Sequence, residues 1–281
     1  MMTMLGKLNF RKEALQSYAF VARNFNLVKR YWGWELVWLA YSTATSLSVV
    51  FIGQGSTLIT GQEDINTSFF VVYLLIGTLV WRFLSGLFNN ISEMIQWERW
   101  EGTIEYTLMA PVHRFTQIAG QAGFAVLYSL LFTLVIGAAM VAFFELDFSG
   151  ANLFGALLVL LAGSISLVSL GVMASILPLL YTERGTQMTH IVEAFLLLIS
   201  GVYYPIEVLP AWLQSIAQIS PVYYVLGGIR AAILDGVPTL ELWPYMIPLL
   251  IIGAIGLPVG VWAFRQAELY AKRTGKLKRV G

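Results

Sequence analysis

The stretch Leu153-Phe-Gly-Ala-Leu-Leu-Val-Leu-Leu-Ala-Gly-Ser-Ile-Ser-Leu-Val-Ser-Leu-Gly-Val-Met-Ala-Ser-Ile-Leu-Pro-Leu-Leu-Tyr181 contains no charged side chain. About 20 apolar residues in a helix cross a bilayer, so this run alone is long enough to span one. Working outward, further apolar runs cover approximately Trp34 to Gly53, Phe69 to Phe88, Ile118 to Phe144, Met188 to Tyr204 and Tyr245 to Phe264. Together they predict an all-α polytopic membrane protein with six transmembrane helices, forming a single transmembrane domain over residues 1–281. The run from Met188 to Tyr204 is the weakest, being short and carrying Glu193. Losing it would leave five spans and place the termini on opposite sides. Composition agrees: of 281 residues 58% are hydrophobic, 14% aromatic and 12% charged, against about a quarter charged in an ordinary soluble domain. The net charge of +1 gives no general attraction to nucleic acid. Cysteine is absent, which excludes disulfides and thiolate chemistry, and His113 and His190 stand in no HExxH spacing, so both are read as ordinary polar residues.

Charge placement sets the orientation. The N-terminal segment carries Lys7, Arg11, Lys12, Arg23, Lys29 and Arg30, and the tail carries Arg265, Lys272, Arg273, Lys276, Lys278 and Arg279. With six spans, Arg99, Arg114 and Arg184 fall on the same side, while 54–68 and 145–150 contain acids but no bases. Basic residues are retained in the cytoplasm, so both termini are expected there. Within the first segment Leu15, Tyr18, Ala22 and Phe25 recur at steps of three and four. This predicts an amphipathic helix over 1–33, lying along the inner surface of the membrane.

Two regions interrupt the apolar pattern. The first is the loop 89–117, containing Ser92-Glu-Met-Ile-Gln-Trp-Glu-Arg-Trp-Glu-Gly-Thr-Ile-Glu-Tyr-Thr-Leu-Met-Ala-Pro111. It reads as two short helices: Gly102 breaks the pattern, Thr103 can cap the second helix and Pro111 stops it. Glu98, Glu101 and Glu105 recur at helical spacing, an acidic face that suits a protein partner; a solvated loop helix fits the periodicity equally well. The second region, 205–243, is apolar yet broken by Pro205, Pro210, Pro221 and Pro238. Its pieces predict an outer re-entrant hairpin, with two helices lying flat on the outer surface as the alternative.

These residues resemble the integral membrane subunits of type-2 ABC exporters, which move drugs, lipids and lipid-linked glycans. The resemblance covers nearly the whole chain. It rests on Glu101-Gly102-Thr103-Ile104-Glu105 with Pro111 after it, and on Ser200-Gly201-Val202-Tyr203-Tyr204-Pro205-Ile206-Glu207-Val208-Leu209-Pro210-Ala211-Trp212 leading to Ser220-Pro221 and Gly228-Ile229-Arg230. It implies a half-transporter: two membrane subunits, with an identical copy the expected second one, and two cytoplasmic ATP-binding subunits that hold ATP and Mg. This chain would bind no cofactor and no nucleic acid. The resemblance assigns ATPase docking to Glu98, Glu101, Gly102, Thr103, Glu105 and Pro111, in what that family calls the coupling helix. Independently of the resemblance, the residues point to an outer gate or re-entrant region at Tyr203, Tyr204, Pro205, Trp212, Pro221, Tyr223, Tyr224 and Arg230. The residues themselves agree on one point: Gly6-Lys7 and Gly275-Lys276 lack the spacing of a phosphate-binding loop, so power must come from another subunit or a gradient.

Ionisable side chains inside a membrane usually face a partner or a wet cavity, and Arg82 and Glu193 are expected to pair there. The outer tyrosines and Trp212 could stack on sugar rings or line an exit for amphiphiles, although an interfacial aromatic belt is the simpler reading. The leading expectation is export of an amphiphile from an inner or plasma membrane. A gradient-driven secondary transporter is the alternative, and the chain lacks the repeated halves usual for that class.

Overall fold

The computed structural model describes residues 10–60, 67–144, 150–181 and 184–275. Lys7, Lys276, Lys278, Arg279 and most of the two acidic loops invoked for orientation lie outside the described residues. Every regular element among those described is a helix. Helix α1 (Phe10–Arg30) leads into α2 (Trp32–Thr60) and α3 (Thr67–Ser92). The short pair α4 (Met94–Trp100) and α5 (Ile104–Met109) precedes the long α6 (Arg114–Phe144). Helix α7 (Leu153–Ala174) runs on through Ser175 into α8 (Ile176–Leu180), and α9 (Gly185–Ile199) turns back. A 3-10 turn at Ile206–Val208, then α10 (Ala211–Ala217) and α11 (Pro221–Ile233), make up the proline-broken region. A second 3-10 turn at Thr239–Leu242 enters α12 (Trp243–Arg273).

Local chemistry sets several boundaries. Asn152 caps α7, its Oδ1 accepting from the Gly155 N–H at 2.8 Å while its Nδ2 donates to the Val237 carbonyl at 2.8 Å and Thr239 Oγ1 at 3.1 Å. One amide therefore starts a helix and ties the chain entering α12 to it. Ala110 ends α5 in an extended conformation (φ −60°, ψ 139°), as a residue before proline prefers.

The core is built on α3: Phe83, Leu84, Leu87, Phe88 and Ile91 are buried in one cluster with Leu167 and Val172 of α7 and Val225, Leu226 and Ile229 of α11. Helices α7 and α12 pack along each other more extensively than any other described pair. Small residues make this possible: a Cβ at Gly256 would stand 2.5 Å from Ser169 Oγ, and Ser166 Oγ donates to the Leu249 carbonyl at 2.9 Å. Where lipid removes the hydrophobic advantage of helix pairing, such close backbone approach supplies the attraction. The bundle thus has two functional ends, a loop end carrying α4 and α5 and a hairpin end carrying α10 and α11.

Among the described residues, five helical segments are long and apolar enough to cross a membrane: Trp32–Gly55, Phe69–Ser92, Arg114–Phe144, Leu153–Leu180 and Thr239–Arg273. The fifth expected span differs. Helix α9 has 15 residues, about 22 Å at 1.5 Å per residue and short of the roughly 30 Å hydrocarbon core. It stops because Gly201 adopts a left-handed φ of +65°, a conformation glycine enters at little cost. Helices α10 and α11 bend by 79° and would supply a sixth crossing only if counted as one span. Helix α11 is packed among α3, α7 and α12, with Val222, Val225, Leu226, Ile229 and Ala232 buried. It is an internal limb, not one laid flat on the surface.

Candidate functional site

At the loop end Gly102, with φ +71°, turns the chain between α4 and α5. The turn separates Glu105 from Glu98 and Glu101, with which it shares a face in the periodicity. Glu98 points inward, its side chain only 3% exposed and paired with Arg23 of α1 at 3.2 Å. Burial pushes its carboxyl above the usual range, opposed by the Arg23 guanidinium. Glu101 is half-buried and accepts from the Tyr31 hydroxyl at 3.2 Å. Glu105 alone is exposed, beside Tyr106 at 79% and Met109 at 84%. The expected continuous acidic face does not form, because an α-helical spacing means nothing across a left-handed glycine. Thr103 likewise makes no side-chain cap for α5; its hydroxyl reaches back to the Glu98 carbonyl at 3.4 Å. Pro111 is exposed at the exit.

Two arginines fix this elbow to the bundle. Arg99 is buried, and its Nη2 donates to the Leu179 carbonyl of α8 at 2.9 Å. Arg114, the first residue of α6, donates from Nη1 to the Thr107 carbonyl of α5 at 3.3 Å and to Gln117 Oε1 at 2.9 Å. Its Nε and Nη2 meet both carboxylate oxygens of Glu268 in α12 at 2.9 and 2.8 Å.

Helix α1 packs along the start of α6. Its packed face is a polar seam: Asn24 Nδ2 donates to Gln121 Oε1 at 2.6 Å, Ser17 Oγ to the Thr116 carbonyl at 3.1 Å, and Thr116 Oγ1 to Glu13. Of the face expected to meet lipid, Leu15 and Tyr18 stay exposed at 60% and 68%. Phe25 instead stacks edge-on against Phe124 of α6, with ring centroids 5.1 Å apart.

Arg82 and Glu193 do not pair. Glu193 Oε2 accepts from Asn89 Nδ2 at 3.1 Å and lies 3.4 Å from His190 Nδ1, while His190 Nε2 is 3.5 Å from Glu93. Glu193 thus meets α3 at Asn89, seven residues and about 10 Å at 1.5 Å per residue from Arg82, so its charge acts on the Arg82 guanidinium without a direct bond. Arg82 faces α6, its guanidinium carbon 5.1 Å from the centre of the Phe132 ring. Among the described residues no group of three or more His, Asp or Glu is placed to hold a metal ion.

The hairpin end is organised differently. Arg230 of α11 donates from Nη1 to the Gly201 carbonyl at 3.1 Å and from Nη2 to the Val202 carbonyl at 2.7 Å. Its guanidinium carbon sits 3.7 Å from the centre of the Tyr73 ring of α3. The cation thereby receives the backbone where α9 ends, which supplies partners to carbonyls that no helix continues to satisfy. Pro221 opens α11 at its first position, and Pro205 leads the extended entry to the first 3-10 turn. Ser200 and Ser220 hydroxyls stand 3.4 Å apart, joining the end of α9 to the α10–α11 bend. The aromatic residues do not share one platform: Tyr223 and Tyr224 touch at 5.3 Å, the Tyr204 hydroxyl donates to the Leu198 carbonyl at 2.5 Å, Tyr203 packs on the main core, and Trp212 is 65% exposed.

Tyr73, Asn89, Arg99, Arg114 and Glu268 carry much of this geometry and have no local signature. Arg114 and Glu268 lie 154 residues apart, and only the fold joins them.

Residues 15–234 match the ABC-2 type transporter family. The chain is 23% identical over 190 residues to the inner membrane transport permease YadH of Escherichia coli strain K12, covering 66% of this chain and 71% of that protein. The same figures hold for the protein of that name in Shigella flexneri. With the family match covering more than half of its length, over helices that include both the elbow and the hairpin, the chain belongs to the ABC-2 type transporter family.

Proposed function

We propose that this chain is the membrane-spanning subunit of an ATP-driven exporter of an amphiphile such as a drug, lipid or lipid-linked glycan. The loop end and both termini face the cytoplasm of a cell with an inner membrane, α9 and the bent α10–α11 pair together making the sixth crossing, since α9 begins beside α8 and α11 ends beside the start of α7. A separate subunit, present in two copies, hydrolyses ATP with Mg and docks on the elbow, and a second copy of this chain completes the pathway. The observation that carries this reading is the contrast within α5. Its inner side is tied to the bundle through Thr107, while Glu105, Tyr106 and Met109 are exposed on a helix outside every span. An exposed apolar pair beside a carboxylate, on a mount fixed by charge-assisted bonds, is suited to receive a partner and to move with it.

The test is co-purification of the tagged chain with the ATP-binding subunit encoded beside its gene. Wild type is expected to retain that subunit, and a Tyr106→Ala, Met109→Ala variant that still inserts is expected to lose it. Retention of the subunit by the variant would remove α5 as the docking surface. Failure of wild type to bind any ATPase would remove the ATP-driven reading and favour a gradient-driven transporter.

A further inference from the structure

We propose that Arg114 is a positioning residue that delivers movement of α5 to the last helix, α12, through its bidentate pair with Glu268. This rests on the reading of α5 as the docking helix and names the element that receives its motion. One guanidinium touches three elements at once: the α5 main chain through the Thr107 carbonyl, its own helix through Gln117, and α12 through both oxygens of Glu268. The pair is enclosed, with side-chain exposures of 16% and 6%. Lys272 Nζ adds a second cation on Glu268 Oε1 at 2.7 Å, from one turn further along α12.

The geometry decides what such a contact can transmit. A single hydrogen bond lets two helices pivot, whereas a planar fork bonded to both oxygens of a carboxylate resists sliding and twisting together. Shielding from water prevents the exchange of partners that weakens a surface ion pair. Helix α12 is also the most extensive partner of α7 among the described helices, through a seam that includes Gly256 and Ser169, and α11 packs on both. A displacement of α5 that is passed to Glu268 is therefore imposed on the helices that enclose the hairpin. The Arg23 bond to Glu98 reaches α1, and the Arg99 bond to Leu179 reaches α8, which packs on α12 in turn; the Arg114–Glu268 pair meets α12 directly.

The experiment uses the full complex in proteoliposomes. The chain lacks cysteine, so a single Leu240→Cys probe, at an exposed position just before α12, reports nucleotide-driven movement by its labelling rate with a membrane-impermeant maleimide. Rates are compared without nucleotide and after trapping with ATP and vanadate, in wild type, Arg114→Glu, Glu268→Arg and the double swap. In wild type, trapping should change the rate by about threefold or more. Each single variant should lose that change while retaining the ATPase subunit and hydrolysing ATP at about half the wild-type rate or better. The double swap should not restore the change, since a carboxylate at 114 cannot donate to the Thr107 carbonyl and an arginine at 268 faces Lys272; restoration would remove the Thr107 bond from the route and overturn the inference. Persistence of the change in both single variants would overturn the inference. So would its loss together with subunit binding and hydrolysis in both single variants and in the swap, which marks a structural role only. Failure of the docking reading is separate: the wild-type chain then retains no ATPase subunit.

Discussion

The loop end and the hairpin end are both held by arginine, but with different acceptors. At the loop end Arg23 and Arg114 bind the carboxylates of Glu98 and Glu268, in addition to the Leu179 and Thr107 carbonyls held by Arg99 and Arg114. At the hairpin end Arg230 binds two main-chain carbonyls and an aromatic face. A carboxylate partner fixes a distance and an orientation between two particular side chains. A carbonyl partner can be exchanged for the next one along the chain with little change in energy. The loop end is thus built to keep its register, and the hairpin end to hold its place while remaining able to shift.

This contrast can be broken by mutation, and Arg230→Ala should have the largest effect. It strands the Gly201 and Val202 carbonyls at the end of a helix too short to cross the membrane, and should destabilise the protein by about 3 kcal/mol. Thermal unfolding of the detergent-solubilised protein measures this, and Arg230→Lys should recover part of the loss. A stability equal to wild type in Arg230→Ala would mean that the hairpin is held by packing alone. Next, Gly256→Leu wedges the α7–α12 seam between the two ends and should cost about 2 kcal/mol by overpacking. An unfolding midpoint unchanged from wild type would show that the seam opens freely.

Acidity sharpens the comparison, because the raised Glu98 pKa acts at the loop end only. The folded state holds the Glu98 proton more tightly than the unfolded chain does. Its contribution therefore favours folding at low pH and is lost as pH rises from the usual carboxylate range through the raised value. Replacement by Gln should flatten that part of the pH–stability curve, by about 1 kcal/mol or less. A curve of unchanged slope would place Glu98 in a more solvated setting than its burial implies. The smallest effect concerns Arg82 and Glu193, whose double-mutant cycle to Leu and Gln should give a coupling below about 0.5 kcal/mol. A larger coupling would restore the intramembrane pair.

The long elements were legible because bilayer thickness imposes a coarse rule that runs such as 153–181 satisfy without help from neighbours. The breaks were legible because Gly102, Pro111, Pro205 and Pro221 act on their own backbone. What failed depended on direction or depth. Glu98 kept its helical phase within α4 yet turned inward, because its partner Arg23 comes from α1, a helix whose packed face is polar and reads as solvent-facing in the periodicity. Arg82 and Glu193 stand level when counted from the span ends expected of the apolar runs, but the residue of α3 that meets Glu193 is Asn89, about two turns further along the helix than Arg82. The Arg114–Glu268 pair was not visible at all, since each residue alone is one more charge near a span end.

The early stop of α9 carries a consequence for how the protein is made. Synthesis delivers Gly201 and Val202 well before Arg230, so the translocation machinery must hold an unfinished helix end until α11 emerges. During that interval α9 lacks both the length to cross and the cation that closes it. Its settled depth is thus fixed by residues that come after it in the chain, and a ribosome stalled before Arg230 would leave a nascent protein whose fifth apolar segment has no stable berth in the lipid.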